Sequence, residues 1–406
     1  MAVDPFAPAR LGPVTLRNRV IKAATFEGMT PQRVVTRGLV DYHRAVAAGG
    51  VGMSTVAYLA VSRQGQGAPG EIVPRDETVP GLRALTDAVH AEGAAVAAQL
   101  GHAGPVAAGT GQRGLAPSRV FSPLAMRFTR AATENDLGAI VTQFADAARA
   151  LRSAGFDAIE IHMGHGYLIS AFLSPRLNKR DDRWGGSVVN RARLAREVAK
   201  AVRAAAGDTV AVTAKLNMAD GVPGGLWLDD SVEVARLLEA DGVLDAIELT
   251  GGSSFQNPMY LFRGEAPIAE MAVALPKVVR PGFRLFGKRF LPEYPFEEAY
   301  FLPYARQFRA ALSMPLILLG GINRLETIQA GLDEGFEFVA MARALLREPD
   351  LIRRFQQHDA SESLCIHCNK CMPSIYSGTH CVLVQPADRP GHRPTGGPDT
   401  EPVRPA

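Results

Sequence analysis

The chain has little cysteine and keeps it in one place. Of 406 residues only four are Cys, and Cys365, Cys368, Cys371 and Cys381 all fall in one short C-terminal stretch. Four clustered thiols in a chain with no export pattern favour metal or cluster ligation over disulfides. Long apolar runs are missing: nothing approaches the roughly 20 residues of a membrane span. Met1-Ala-Val-Asp-Pro-Phe6 also lacks the basic-then-apolar order of a signal peptide. A cytoplasmic location with no membrane partner is therefore expected. Neither sign of charge is in excess, with 44 Lys and Arg against 41 Asp and Glu and a net charge of +3, so no nucleic acid or other polyanion is implied. Thr25-Phe-Glu-Gly-Met29 is not the Gly-rich turn that follows the first strand of an open dinucleotide-binding sheet.

What is present is a regular alternation. Hydrophobic residues make up 47% of the chain, enough for one large barrel or two smaller domains. Short β-type runs occur at Arg19–Thr25, Val51–Val56, Ala94–Gln99, Ala158–His162, Val210–Lys215, Ala246–Thr250, Pro315–Leu319 and Phe338–Met341. Amphipathic helix patterns separate them, for example Asn135–Ser153, Asn190–Ala206, Asp229–Ala240 and Glu326–Glu334. Eight strands each followed by a helix predict an α/β fold of the (β/α)8 TIM-barrel type, over residues 1–358. Two connections are unusually long, Gly101–Thr133 after strand three and Gly251–Pro295 after strand six; in a barrel both rise over the face that carries the chemistry. A Cys-rich segment, 359–384, follows. The stretch 385–406, rich in Pro, Gly and charge, is expected to be a disordered tail.

Polar residues gather where the runs end. Ala24 and Thr25 close strand one, Ala57 and Tyr58 strand two, and Gln99 and His102 strand three. His162, His165 and Tyr167 close strand four, and Lys215 strand five. Gly320 and Gly321 follow strand seven, and Ala342 and Arg343 strand eight. Two imidazoles and a phenol at a strand end can hold a carbonyl or anionic oxygen and supply a proton. Gly320 and Gly321 read alone as a tight turn, and with Arg343 as a phosphate site. Lys215 suits either an ion pair with Glu248 or a Schiff base. His162 and His165 have no nearby carboxylate to complete a metal set.

The run Ile161–Arg196, IHMGHGYLISAFLSPRLNKRDDRWGGSVVNRARLAR, closely resembles the signature of the old yellow enzyme family, FMN-dependent NADH:flavin oxidoreductases and ene-reductases. The resemblance spans about residues 5–355 and includes Leu16-Arg-Asn-Arg19, Gln99-Leu-Gly-His-Ala-Gly104 and Met341-Ala-Arg-Ala-Leu-Leu-Arg-Glu-Pro349. It implies FMN across the barrel mouth. Ala24, Thr25, Ala57 and Gln99 would touch the ring, with Lys215 beside its pyrimidine edge. Gly320, Gly321, Ala342 and Arg343 would hold the phosphate. It further implies NADH or NADPH as donor and an α,β-unsaturated carbonyl compound as the small-molecule substrate. His162 and His165 would clamp its oxygen, and Tyr167 would protonate its α-carbon. Phe26 departs from the hydroxyl or thiol that some members carry there, Tyr58 is larger than usual, and the Gly251–Pro295 loop prevents any transfer of specificity.

Cys365-Ile-His-Cys368-Asn-Lys-Cys371 with Cys381 resembles the iron–sulfur segment of the larger dienoyl-CoA reductase and trimethylamine dehydrogenase relatives. Those relatives have C-x2-C-x3-C, whereas this chain has C-x2-C-x2-C. A [4Fe–4S] cluster, a zinc ion and free thiols all remain open. Two further functions stay in view. One is an FMN and iron–sulfur dehydrogenase or demethylase feeding an electron-transfer partner. The other is a flavin-free barrel, either a lyase using Lys215 or a zinc-stabilised binding protein. A homo-oligomer is also left open.

Overall fold

Eight parallel strands close on themselves. The computed structural model describes residues 2–107, 111–275 and 277–403. The strands are β1 (Val20–Lys22), β2 (Met53–Ala60), β3 (Ala95–Gly101), β4 (Ala158–Met163), β5 (Ala211–Asn217), β6 (Ala246–Thr250), β7 (Leu316–Leu319) and β8 (Phe338–Met341). β8 pairs with β1 to complete the ring. Nearly every strand position is buried, because helices cover the outside and side chains fill the inside. The outer layer comprises α1 (Arg37–Ala48), α2 (Val79–Ala91), α3 (Glu134–Ser153), α4 (Arg193–Ala206), α5 (Leu228–Asp241), α6 (Leu302–Ala311), α7 (Leu325–Asp333) and α8 (Leu351–Gln356). Local signals fix their ends. Thr133 and Asp136 cap α3 reciprocally, and Gly242, in the left-handed region at φ 65°, stops α5.

The expected (β/α)8 barrel is thus present. β2 runs four residues past Val56, with a shift of register before Leu59; there the Ala57 N–H leaves the ladder to donate to Glu27 Oε2 at 2.9 Å. At the amino-terminal end a hairpin, Ala9–Leu11 with Val14–Leu16, drives Leu11 and Leu16 against Ala97, Ala158, Ala211 and Ala246. That end is plugged, so only the opposite mouth is free to receive loops.

Both long loops fold. The first carries two short strand pairs, Leu115–Ala116 with Arg130–Ala131 and Phe121–Ser122 with Arg127–Phe128; its residues 108–110 lie outside the described residues. The second carries helices Ile268–Ala274 and Arg280–Phe290.

The tail differs from expectation. Instead of being disordered, residues 385–403 run back along the start of α1. Arg37 N–H donates to Glu401 O at 2.8 Å, Gly38 N–H to Asp399 O at 2.9 Å, and Val403 N–H to Val35 O at 3.0 Å. The first N–H groups of a helix have no partner within it, and the tail carbonyls satisfy them. Pro and Gly keep this segment out of regular structure without keeping it off the surface. Residues 404–406 lie outside the described residues.

Candidate active site

The end of β4 and the turn after it bring three side chains into one cluster. The His162 ring lies 5.0 Å from that of His165 and 4.3 Å from that of Tyr167, and Tyr58 stands 5.3 Å from Tyr167, centroid to centroid. His165 and Gly166 follow each other at positive φ, 60° and 77°, which turns the chain back so that all three rings face one space. Burial lowers the basicity of His162 well below normal, with His165 and Lys215 adding to it. Burial and Lys215 bring His165 to about 3. Both imidazoles are therefore neutral hydrogen-bonding groups near pH 7. Gly164 N–H donates to His162 Nδ1 at 3.4 Å, which leaves the proton on Nε2. His165 Nε2 meets Thr250 Oγ1 at 2.9 Å, and Asn217 Oδ1 accepts from the His165 N–H at 3.0 Å. Burial, then the nearby Glu71, pushes the Tyr167 phenol upward. It stays protonated and can give a proton only to a strong base. The Tyr58 hydroxyl is committed to Gly65 O at 2.8 Å.

Lys215 is not a lone cation. Its Nζ lies 3.0 Å from Glu160 Oε1 and 2.9 Å from Glu248 Oε1. Gln99 Nε2 donates to the same Glu160 oxygen at 2.7 Å. The ion pair anticipated with Glu248 exists, and Glu160 joins it. Burial opposes the ammonium, but the two carboxylates outweigh burial and raise its basicity. A lysine held protonated in this way is a poor Schiff-base nucleophile.

At the far side of the mouth Gly320 and Gly321 have φ of 113° and 72°, and a Cβ on either would stand 2.5 Å from Phe301 or Tyr300. Only glycine fits there. Arg343 donates to Arg263 O at 3.0 Å and to the Asn369 side chain. The Arg263 guanidinium sits among Tyr260, Tyr294, Tyr300 and Phe301, 4.9–5.9 Å from their centroids, with Nε buried and unpartnered. Among the described residues neither arginine is in an ion pair with a carboxylate. Two uncompensated guanidinium groups beside a glycine pair suit a phosphate dianion. Around the mouth Thr25 Oγ1 and His102 Nε2 are buried without partners. A flavin phosphate therefore fits the residues present.

The cysteine segment crosses this mouth. Thr379 N–H donates to Glu27 O at 2.7 Å, and Glu265 N–H to His367 O at 3.3 Å. His367 stacks on Phe296 at 3.4 Å between centroids. Burial pushes the Cys371 thiol to about 12 and raises Cys365, with the other cysteines contributing. Among the described residues, no three His, Cys, Asp or Glu side chains are arranged to hold a metal ion. Cys365, Cys368, Cys371 and Cys381 are all outside disulfides, and the cluster, zinc and free-thiol readings of the segment stand as alternatives.

Arg263, Glu160 and Glu71 were missed as site residues. Glu160 had a signal: it sits two residues before His162 in an otherwise apolar strand, so both face the barrel interior. Arg263 and Glu71 lie in loops with no periodicity to place them.

Parallel β/α units with neutral proton donors, a buried lysine and paired arginines at the carboxyl-end mouth define a barrel oxidoreductase for a phosphorylated redox cofactor. A family model, NADH:flavin oxidoreductase / NADH oxidase, matches residues 4–247, and the chain belongs to that family. It is 59% identical over 380 residues to a 4,4'-dithiodibutanoate disulfide reductase of Rhodococcus erythropolis, covering 93% of this chain and 94% of that one. It is 35% identical to a metal reductase of Desulforamulus reducens over 91% of this chain, but spans only 52% of that protein's length. Among solved structures it resembles morphinone reductase in complex with tetrahydroNAD, with a TM-score of 0.69 and 25% identity over 90% of this chain and 93% of that one. The protein is an NAD(P)H-dependent flavin oxidoreductase of the old yellow enzyme kind. No helix among the described residues is long and apolar enough to cross a membrane.

Proposed function

We propose that this protein uses NADH or NADPH to reduce the C=C bond of small α,β-unsaturated carbonyl compounds. The observation that carries this reading is the trio His162, His165 and Tyr167: His162 is buried, the other two are half-buried, and both rings lie within about one ring-width of the His162 ring. FMN, when bound, would supply two-electron hydride chemistry between the nicotinamide and the acceptor. His162 Nε2–H, with His165, donates to the substrate oxygen as it gains negative charge; losing one such donor costs about 3–4 kcal/mol in the transition state. Tyr167 O–H protonates the α-carbon, and burial keeps that proton in place until the carbanion-like centre forms. Gly320, Gly321, Ala342 and Arg343, together with Arg263, would hold the phosphate of that group. Gln99, Ala24, Thr25 and Ala57 would line its ring.

A second acceptor is favoured by the 59% identity to a disulfide reductase. An organic disulfide takes two electrons and two protons to give two thiols, and the same donors can protonate the departing thiolates. Cys365 and Cys371, raised by burial, are weak nucleophiles for an exchange route through either of them. Anaerobic stopped-flow tests both readings. Tyr167→Phe should slow reoxidation by an enone about 10²-fold or more while sparing reduction by NADPH; equal losses in both half-reactions count against the proton-donor role. Turnover of 4,4'-dithiodibutanoate with kcat/KM far above that of any enone would move the function to the second acceptor.

A further inference from the structure

Beneath the mouth three ionisable side chains meet with unequal charge. Lys215 on β5 pairs with both Glu160 on β4 and Glu248 on β6, and none of the three is more than 4% exposed. The groups facing them are few. β3 offers the neutral Gln99 amide, β4 adds His162, and the loop after it adds His165, both held neutral. Along β6, β7 presents only Leu316, Ile317 and Leu318. Two carboxylates sharing one ammonium out of water cannot both stay ionised cheaply, so the trio retains a proton. Its place follows from the donors. Glu160 Oε1 receives Gln99 Nε2 as well as Lys215, which stabilises its anion, whereas Glu248 has Lys215 alone.

We propose that Glu248 is a positioning residue whose carboxyl, where it is ionised in the resting protein, binds a proton when negative charge arrives at the mouth, so that reduction there takes up one proton more than the hydride carries. This rests on the FMN reading above. Hydride from the nicotinamide brings two electrons and one proton and leaves one negative charge near Lys215. A Glu248 carboxylate that was ionised beforehand then takes one proton from solvent, for two electrons and two protons in all. Burial, with Glu160 reinforcing it and Lys215 opposing it, lifts this carboxyl to about 8, which sets where the uptake becomes visible.

The experiment is a spectroelectrochemical titration of the purified holoprotein from about pH 6 to about pH 10. One proton per two electrons moves the midpoint potential by about 30 mV per pH unit, and a second proton brings the slope to about 59 mV. The wild type should follow the shallow slope near neutrality and steepen above about pH 8. Titration of the flavin itself bends the opposite way, steep at low pH and shallow at high. Glu248→Gln should stay shallow throughout. Glu160→Gln, which removes the repelling carboxylate, should move the bend to lower pH by about a unit or more. A wild type that stays shallow, a Glu248→Gln variant that still steepens, or a bend unmoved in Glu160→Gln overturns the proposal. A wild type that purifies without flavin overturns the FMN reading and this one with it; yellow protein with no bend overturns this one alone.

Discussion

Lys215 owes its effect to its neighbours. Removing one partner of a buried charge group strands the others, at a cost of about 3–5 kcal/mol, whereas removing charges together costs far less. Lys215→Met should therefore destabilise the chain by about that amount, and adding Glu248→Gln should recover a large part of it. Urea unfolding of the three proteins measures this; a single variant within about 1 kcal/mol of wild type would contradict the buried trio. Much of this site can be read from the sequence, because barrel strands alternate inward and outward positions. Glu160 with His162, Thr213 with Lys215, and Glu248 with Thr250 are pairs of polar residues two apart in apolar runs, so each pair faces inward. What alternation cannot reveal is which pairs meet. That depends on the register His162–Lys215–Glu248 across three strands far apart in the chain.

Segments without periodicity were misread more often than strands. All eight barrel strands were anticipated to within a few residues because each is a short buried run bounded by turns. The tail was not, since its order comes from α1, whose unpaired N–H groups donate to its carbonyls. Gly38 makes this contact possible: a Cβ there would stand 2.5 Å from Asp399 O and Gly391 O. Gly38→Val should lift the tail, cost about 1–3 kcal/mol and make the segment after Gln385 cleave faster in limited proteolysis; unchanged cleavage would mean that the tail is held elsewhere. The cysteine segment raises a similar question. Its spacing leaves a cluster, a zinc ion and free thiols as alternatives, and none of its four cysteines is in a disulfide. Cys365→Ser with Cys371→Ser should leave flavin content and the NADPH half-reaction within about twofold of wild type, because neither thiol is ionised enough at neutral pH to act. Loss of iron together with activity would assign the thiols to a cluster.

The molecule as a whole should be acid-labile, and its buried imidazoles are the reason. Burial lowers His102 to about 4 and His165 to about 3, and it lowers His162 well below normal with help from His165 and Lys215. In the unfolded chain each takes up a proton near pH 6.5. Between those limits the unfolded state binds more protons, so stability rises with pH and falls as the solution is acidified. Each such group contributes about 1.4 kcal/mol per pH unit crossed. Stability given by these histidines is complete above about pH 6.5 and is lost as pH falls toward 4 and then 3. Glu248 has the opposite sign: its raised value of about 8 makes its contribution fullest below the unfolded value, to be lost as pH rises through 8. Stability should therefore peak near neutrality and fall on both sides, steeply toward acid. Thermal unfolding across pH 4 to 9 checks this. His102→Gln should flatten the acid limb by about one group's share, and Glu248→Gln, whose window runs from 4.5 to about 8, should flatten the fall above neutrality and steepen the acid limb. An acid limb unchanged by His102→Gln would assign the acid loss to the carboxylates of the surface ion pairs instead.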